Sequence, residues 1–406
     1  MTFEDILRAA LAKGATDVHF KAGVMPVIRR HGSLRPLSSN SVALTGEQIE
    51  EMALSLMDDK QKAHFAEHRE IDLGYGVSGL GRFRISVFKQ RGTTRIVVRN
   101  IPFKVPTFKE LNLPDNIGKI AMAERGLILV TGIAGSGKSS TLASIIDDIN
   151  GRENKHILTI EDPIEYLIRD RKSLITQREI GVDTYGFAKA LRAGLRQDPD
   201  VILIGEMRDR ETIENSLLAA ETGHLVLSTL HTLDATETIN RILAAFDSSQ
   251  QKQVRMQLGA VLRAVVSQRL CKRKDGKGMV PACEILINNP RIRDMIEDPE
   301  KTGDIEQAIE EGQQVWGMQS FDQSLMELLN KDLISYEEAL LQCARPEDFR
   351  IRVDGITAMD GKKWSENQFH DRKVNDKWQN VTEIEIVMPT EIRRKRKSGS
   401  HEDEDS

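Results

Sequence analysis

Four short apolar runs, GLILV, HILTI, DVILIG and HLVLSTL, recur between about residues 117 and 345, separated by segments whose apolar residues fall at helical spacing. Runs of that length bounded by turn residues are the pattern of strands buried on both faces, and their alternation with helices predicts an α/β fold with a parallel-rich sheet flanked by helices. Residues 1 to about 100 follow another pattern. MTFEDILRAALAKGATDVHF reads as one amphipathic helix, whereas PVIRRHGSLRPL, RFRISVFKQ and TTRIVVRN partly alternate apolar and polar residues, as half-buried strands do. A small α+β domain is expected there. Between the two regions, IPFKVPTFKELNLP carries Pro102, Pro106 and Pro114, which predicts a stiff connector over residues 101–116. From about 346 the chain turns polar and ends EIRRKRKSGSHEDEDS. Opposite charge blocks with few large apolar residues cannot bury enough surface to fold alone, so residues 346–406 are expected to be a disordered tail. The basic run Arg393 to Lys397 is mainly a solvated end, with anionic lipid or an acidic partner as the alternative.

Composition narrows the function classes. Over 406 residues, 39% are hydrophobic and 29% charged, as in a soluble protein of two or three domains. A net charge of −5 and only 5% aromatic residues give no case for nucleic-acid binding. Cys271, Cys283 and Cys343 form no CxxC pair, so neither a zinc site nor a disulfide framework is indicated. The amino terminus lacks a basic segment followed by an apolar one, and no stretch approaches the ~18 apolar residues of a membrane span. A cytoplasmic protein that touches membranes only peripherally is expected.

The chemistry starts at TGIAGSGKSS, residues 131 to 140, placed after the apolar run GLILV and before the helical pattern TLASIIDDI. Strand, glycine loop and helix in that order turn Gly132, Ile133, Ala134, Gly135, Ser136, Gly137, Lys138, Ser139 and Ser140 into a P-loop. Backbone without side chains in the way can wrap a polyphosphate, and the helix aims its free N–H groups at the anion. Lys138 is placed to reach the β and γ phosphates of ATP, and the Ser139 hydroxyl to ligate Mg²⁺.

Downstream, PDVILIGEMRD sets Glu206 at the carboxyl end of a buried strand, where a carboxylate can hold the water shell of Mg²⁺. LTIEDPIEY sets Glu161, Asp162 and Glu165 at another strand end, a cluster that can orient and deprotonate an attacking water. ETGHLVLSTLH places His224 and His231 on either side of a strand, and spacing alone assigns them nothing.

In this order the P-loop, IEDPIEY, GEMRD and TGHLVLSTLHT resemble the secretion-superfamily ATPases, and within them the type IV pilus retraction ATPases of the PilT kind. The resemblance extends over residues 1 to 345. It implies a PAS-like amino-terminal domain, residues 1–100, a RecA-like ATPase domain, residues 117–345, and a homo-hexameric ring at the cytoplasmic, inner-membrane base of the pilus machine. An inner-membrane platform protein and a second retraction ATPase are the implied partners. It also implies Glu165 as general base, Glu206 as the Walker B acid, His224 and His231 as a pair coupled to nucleotide state, and Arg84 and Arg99 as arginines reaching the phosphates. A guanidinium suits that task because it donates two parallel hydrogen bonds and offsets developing charge; Arg82 is an alternative to either. PilU-like helper ATPases and the pilus assembly or type II secretion ATPases are the competing readings. The last usually carry an extra amino-terminal domain and a four-cysteine zinc element, which this sequence lacks. One motif departs: where the retraction ATPases carry AIRNLIRE, this chain reads RIRDMIED, Arg291 to Asp298, and Glu297 stands where an arginine is expected.

Overall fold

The computed structural model describes residues 2–30, 33–38, 42–101 and 104–359. Its first helix is shorter than the amphipathic pattern suggests. A reciprocal cap between Thr2 and Asp5 starts helix Phe3–Ala12, which buries Phe3, Ile6, Leu7 and Ala10 along one face. Gly14, at φ 69°, then turns the chain, and Asp17–Phe20 becomes strand β1 instead of continuing the helix. Tertiary pairing overrides helical periodicity here, because β1 finds partners on both sides.

The amino-terminal sheet adds β2 (Val27–Arg30), β3 (Ser33–Pro36), β4 (Glu70–Val77), β5 (Gly81–Gln90) and β6 (Thr93–Ile101) in the order β3-β2-β1-β6-β5-β4, with every pairing antiparallel. The period of two along β5 buries Phe83, Ile85 and Val87 among the helices and leaves Arg82 and Arg84 on the opposite face.

The larger sheet contains β7 (Gly126–Thr131), β8 (His156–Glu161), β9 (Leu174–Glu179), β10 (Val201–Ile204), β11 (Leu225–Leu230), β12 (Leu262–Lys272) and β13 (Met279–Ile287). Their order is β13-β12-β7-β11-β10-β8-β9, parallel throughout except for the β12–β13 pair. Leu127 and Leu129 enter one core cluster and Ile128 and Val130 another, so β7 is packed on both faces as its continuous apolar run requires. The four runs read from the sequence are β7, β8, β10 and β11. Strand β9, LITQRE, was not among them: as an edge strand it is apolar only at its start and buries only Glu179 fully. A parallel sheet with its helices aligns the carboxyl ends of neighbouring strands, and a crevice forms outside those ends.

Contacts divide the chain into a compact unit, Met1–Phe349, and a second unit, Arg350–Ser406. The polar end was expected to lack structure from 346, yet it begins as helix Pro346–Met359. Proline at its first position and Glu347 and Asp348 in its first turn suit a helix start. The rest of the tail, including Arg393 to Lys397, lies outside the described residues.

Candidate nucleotide site

The register of the sheet carries four loops to one place. Leu230 pairs with Thr131, and Ile204 pairs with both Ser228 and Ile160, so the residues that follow β7, β11, β10 and β8 emerge side by side. Around a cavity of about 280 Å³ stand Gly135, Lys138 and Ser139 from the P-loop, Glu161, Asp162 and Glu165 after β8, Glu206 after β10 and His231 after β11.

The loop geometry is that of an anion cradle. Gly132 (φ 140°), Gly135 (φ 80°) and Gly137 (φ 92°) all hold left-handed backbone, and a Cβ on Gly132 would lie 2.4 Å from the Gln268 carbonyl. Gly137 caps helix Lys138–Arg152 without any side-chain cap, which leaves its amides turned to the loop. The Ser136 hydroxyl is buried and has no hydrogen-bond partner among the described residues. Lys138 Nζ donates to the carbonyl oxygens of Gly132 at 2.8 Å and Ile133 at 3.0 Å, so the cation sits inside the loop it serves. Burial holds the Lys138 amine below its ordinary pKa, opposed by the charges of Glu206 and Glu165. Buried ammonium, spare hydroxyl and free amides together fit a polyphosphate. No group of three or more His, Cys, Asp or Glu among the described residues could hold a metal unaided. A Mg²⁺ ion held mainly by substrate phosphates would need only one or two protein oxygens, and the Ser139 hydroxyl and the Glu206 carboxylate both line the cavity.

Each acid has its own environment. Glu161 accepts from Thr159 Oγ1 at 2.7 Å and Gln177 Nε2 at 3.0 Å, and burial raises its pKa despite those bonds. Glu165 is exposed toward the cavity. Burial alone would raise the Glu206 carboxyl, but the hydrogen bond from Arg208 and the adjacent His231 outweigh it and hold the group below the usual range. Arg208 lies 2.8 Å from Glu206 Oε2 and His231 Nε2 lies 3.3 Å from Oε1. Ser140 Oγ meets Tyr166 Oη at 2.8 Å, tying the P-loop helix to the loop that bears Glu165.

Three residues singled out in the sequence stand elsewhere. His224 precedes β11, its Nδ1 bonded to the Ala219 carbonyl at 2.9 Å, so it is a full strand length from His231. Arg84 pairs with Asp72 at 3.2 Å and Arg99 with Asp17 at 2.9 Å, both within the amino-terminal sheet. Arg82 instead crosses to the larger sheet, where it meets Glu179 at 2.6 Å. Arg208, Tyr166 and Glu179 also belong to the site or its flank, and the motifs alone give none of them a role. Arg208 lies two positions after Glu206 in GEMRD, and that proximity was its one signal.

The family model described as type II/IV secretion system protein matches residues 1–356. The chain is 44% identical over 349 residues to the "Type IV pilus retractation ATPase PilT" of Pseudomonas aeruginosa, covering 86% of this chain and 100% of that one. It is 39% identical over 355 residues to the "Type IV pilus ATPase PilU" of the same organism, covering 87% of this chain and 91% of the relative. Among solved structures, the crystal structure of the pilus retraction motor PilT with bound ADP superposes with a TM-score of 0.79 at 43% identity, covering 86% of this chain and 98% of that one.

Proposed function

The chain belongs to the type II/IV secretion system protein family, and on that premise we propose that it is an ATP-hydrolysing motor that powers type IV pilus retraction, withdrawing pilin and driving twitching motility. One observation carries the reading. A phosphate cradle, a Walker acid and an acidic loop able to work on water line one cavity at the carboxyl ends of adjacent parallel strands.

The division of labour follows from the environments. Lys138 neutralises phosphate charge, and the loop amides and the Ser136 hydroxyl hold the phosphate oxygens. Mg²⁺, when bound, supplies charge neutralisation at the transferred phosphoryl group. Glu165, exposed to the cavity, takes a proton from the attacking water on a carboxylate oxygen. Glu161 is fixed by Thr159 and Gln177 and keeps the start of that loop in place. Arg208 and His231 hold Glu206 ionised. Leu142, Ile146, Ile168 and Phe187 give the cavity an apolar side that excludes water.

The working unit in this reading is a homo-hexameric ring at the cytoplasmic base of the pilus machine, against an inner-membrane platform protein and alongside a second retraction ATPase. Arg84 and Arg99 would reach nucleotide only after a domain movement that breaks their pairs with Asp72 and Asp17. A PilU-like accessory role is the second reading. It is favoured by Glu297, which forms an ion pair with Arg293 at 2.7 Å on helix Pro290–Glu297 in place of the cation of the retraction motif.

Two substitutions test the hydrolase. Lys138→Ala is expected to abolish nucleotide binding, while Glu165→Gln preserves binding and stops turnover, since the base acts mainly in the transition state. Equal loss of ATP affinity in both would defeat the assignment. For the cellular role, deletion of the gene should leave cells with many surface pili that do not retract. Normal retraction in the deleted strain would exclude the motor reading and leave the accessory one.

A further inference from the structure

The ion pair between Arg82 and Glu179 joins the two sheets. Arg82 lies on β5 of the amino-terminal sheet and Glu179 ends β9 of the ATPase sheet, with 2.6 Å between guanidinium nitrogen and carboxylate oxygen. Glu179 is 3% exposed, so its charge is sheltered and depends on its partners. The same oxygen, Oε2, also accepts from the backbone N–H of Ile164 at 3.4 Å. Ile164 stands one residue before Glu165, in the loop that lines the nucleotide cavity.

The backbone that carries this carboxylate is fixed on both sides. Asp183 accepts from the Glu179 amide at 2.8 Å, and Ile180 donates to the Glu161 carbonyl at 2.9 Å. On the amino-terminal side, β4 presents Gly74, where a Cβ would sit 2.6 Å from Glu179 Oε1 and 3.0 Å from the Arg82 guanidinium. A glycine there lets β4 lie directly against the pair. Among the described residues Arg82 Nε has no hydrogen-bond partner, whereas its Nη2 donates to Glu179.

We propose that Glu179 is a positioning residue for the Glu165 loop, and that Arg82 sets it, so that the seating of the amino-terminal sheet against the ATPase sheet decides where the base stands. With Arg82 in place, Oε2 is held between guanidinium and Ile164 amide, and the loop is tethered one residue from the base. When Arg82 withdraws, the carboxylate loses its counter-charge and turns toward solvent, and the tether on Ile164 goes with it. Domain movement is thereby converted into base placement without any contact between Arg82 and nucleotide. The proposal rests on the assignment of Glu165 as base.

The test uses the purified full-length oligomer, with steady-state ATP hydrolysis and binding of a fluorescent ADP analogue read in parallel. Glu179→Gln keeps the shape and weakens the charge-assisted bonds, and it should lower kcat by roughly ten- to hundred-fold, the range for a small misplacement of a reacting group. KM and ADP affinity should stay within about two-fold, because the P-loop is untouched. Arg82→Gln should match it, the double variant should be no worse than either single, and Arg82→Lys should recover much of the loss. Gly74→Ala drives a wedge against the pair without altering its charges and should give the same kcat-only defect. Unchanged kcat in Glu179→Gln, a loss carried by KM or ADP affinity, or independent multiplication of the two single defects would overturn the proposal. So would a rise in kcat, which would mean that the pair restrains Arg82. Glu165→Gln measured alongside separates the two claims: turnover retained there refutes the base assignment, whereas turnover lost there with Glu179→Gln unaffected refutes the positioning alone.

Discussion

His231 places Nε2 3.3 Å from Glu206 Oε1 and Nδ1 3.5 Å from Lys138 Nζ, so a single imidazole stands between the acid that follows β10 and the P-loop lysine. The arrangement favours the tautomer that donates from Nε2 to the carboxylate and accepts at Nδ1 from the ammonium. Among the described residues His224 makes no comparable link.

Removing the imidazole should therefore cost more than removing its counterpart. His231→Ala is expected to reduce kcat for ATP roughly ten-fold or more, with ADP binding largely kept, since Lys138 retains its carbonyl partners. His224→Ala should leave steady-state hydrolysis within about two-fold of wild type. Equal defects from the two variants would show that the pair acts together in the assembled ring.

Specific activity should depend on protein concentration. Arg84 and Arg99 are held by Asp72 and Asp17 in the single chain, so a phosphate-directed role requires an assembly that releases them. Hydrolysis is expected to rise as light scattering reports assembly, and Arg84→Ala should flatten that rise. Specific activity that is constant from monomer to oligomer would count against a ring-dependent site.

Stability should fall as pH rises from about 4.5 to about 7 because of Glu284. Burial pushes its carboxyl up to about 7, opposed by the bond from the Ala235 amide and reinforced by Asp234. An unfolded glutamate titrates near 4.5, so between about 4.5 and 7 the folded chain keeps a proton that the unfolded chain has lost, and stability declines with pH. Below that window the carboxyl is neutral in both states. Glu284→Gln mimics the neutral form and should raise Tm at pH 8 by about 2–4 °C. The gain should be smaller at pH 5.5, and thermal melts showing one gap at both pH values would sink the assignment.

Removing residues 355–406 should leave ATP hydrolysis unchanged at matched oligomeric state and weaken localisation or twitching. Every residue assigned to phosphate chemistry lies between Arg84 and His231, and Phe349, fully buried, stays in the shortened chain. A truncated protein that binds ATP yet fails to hydrolyse it would place the tail at the catalytic cleft.

The parts whose physics is local are written in the amino-acid order. A parallel strand covered on both faces must be apolar throughout, so β7, β8, β10 and β11 were legible as runs. A phosphate loop needs glycines at left-handed positions, then lysine and hydroxyl at the head of a helix, so Gly132 to Ser140 was legible as a motif. Strand β9 was not, because an edge strand has no continuous apolar requirement, and the end of the first amphipathic pattern was not, because β1 owes its form to partners distant in sequence. The tertiary structure alone decided who faces whom. The strand order β7-β11-β10-β8 sets His231 between Lys138 and Glu206 and leaves His224 at the far end of the same strand. Alternation along β5 puts Arg82 and Arg84 on one face, yet only the packing of β4 and β9 gives Glu179 to Arg82 and leaves Arg84 with Asp72. Residue type fixes what a side chain can do, and chain order fixes its neighbours along the strand. Which charge it meets across two sheets depends on how those sheets close, and that information is spread over the whole core.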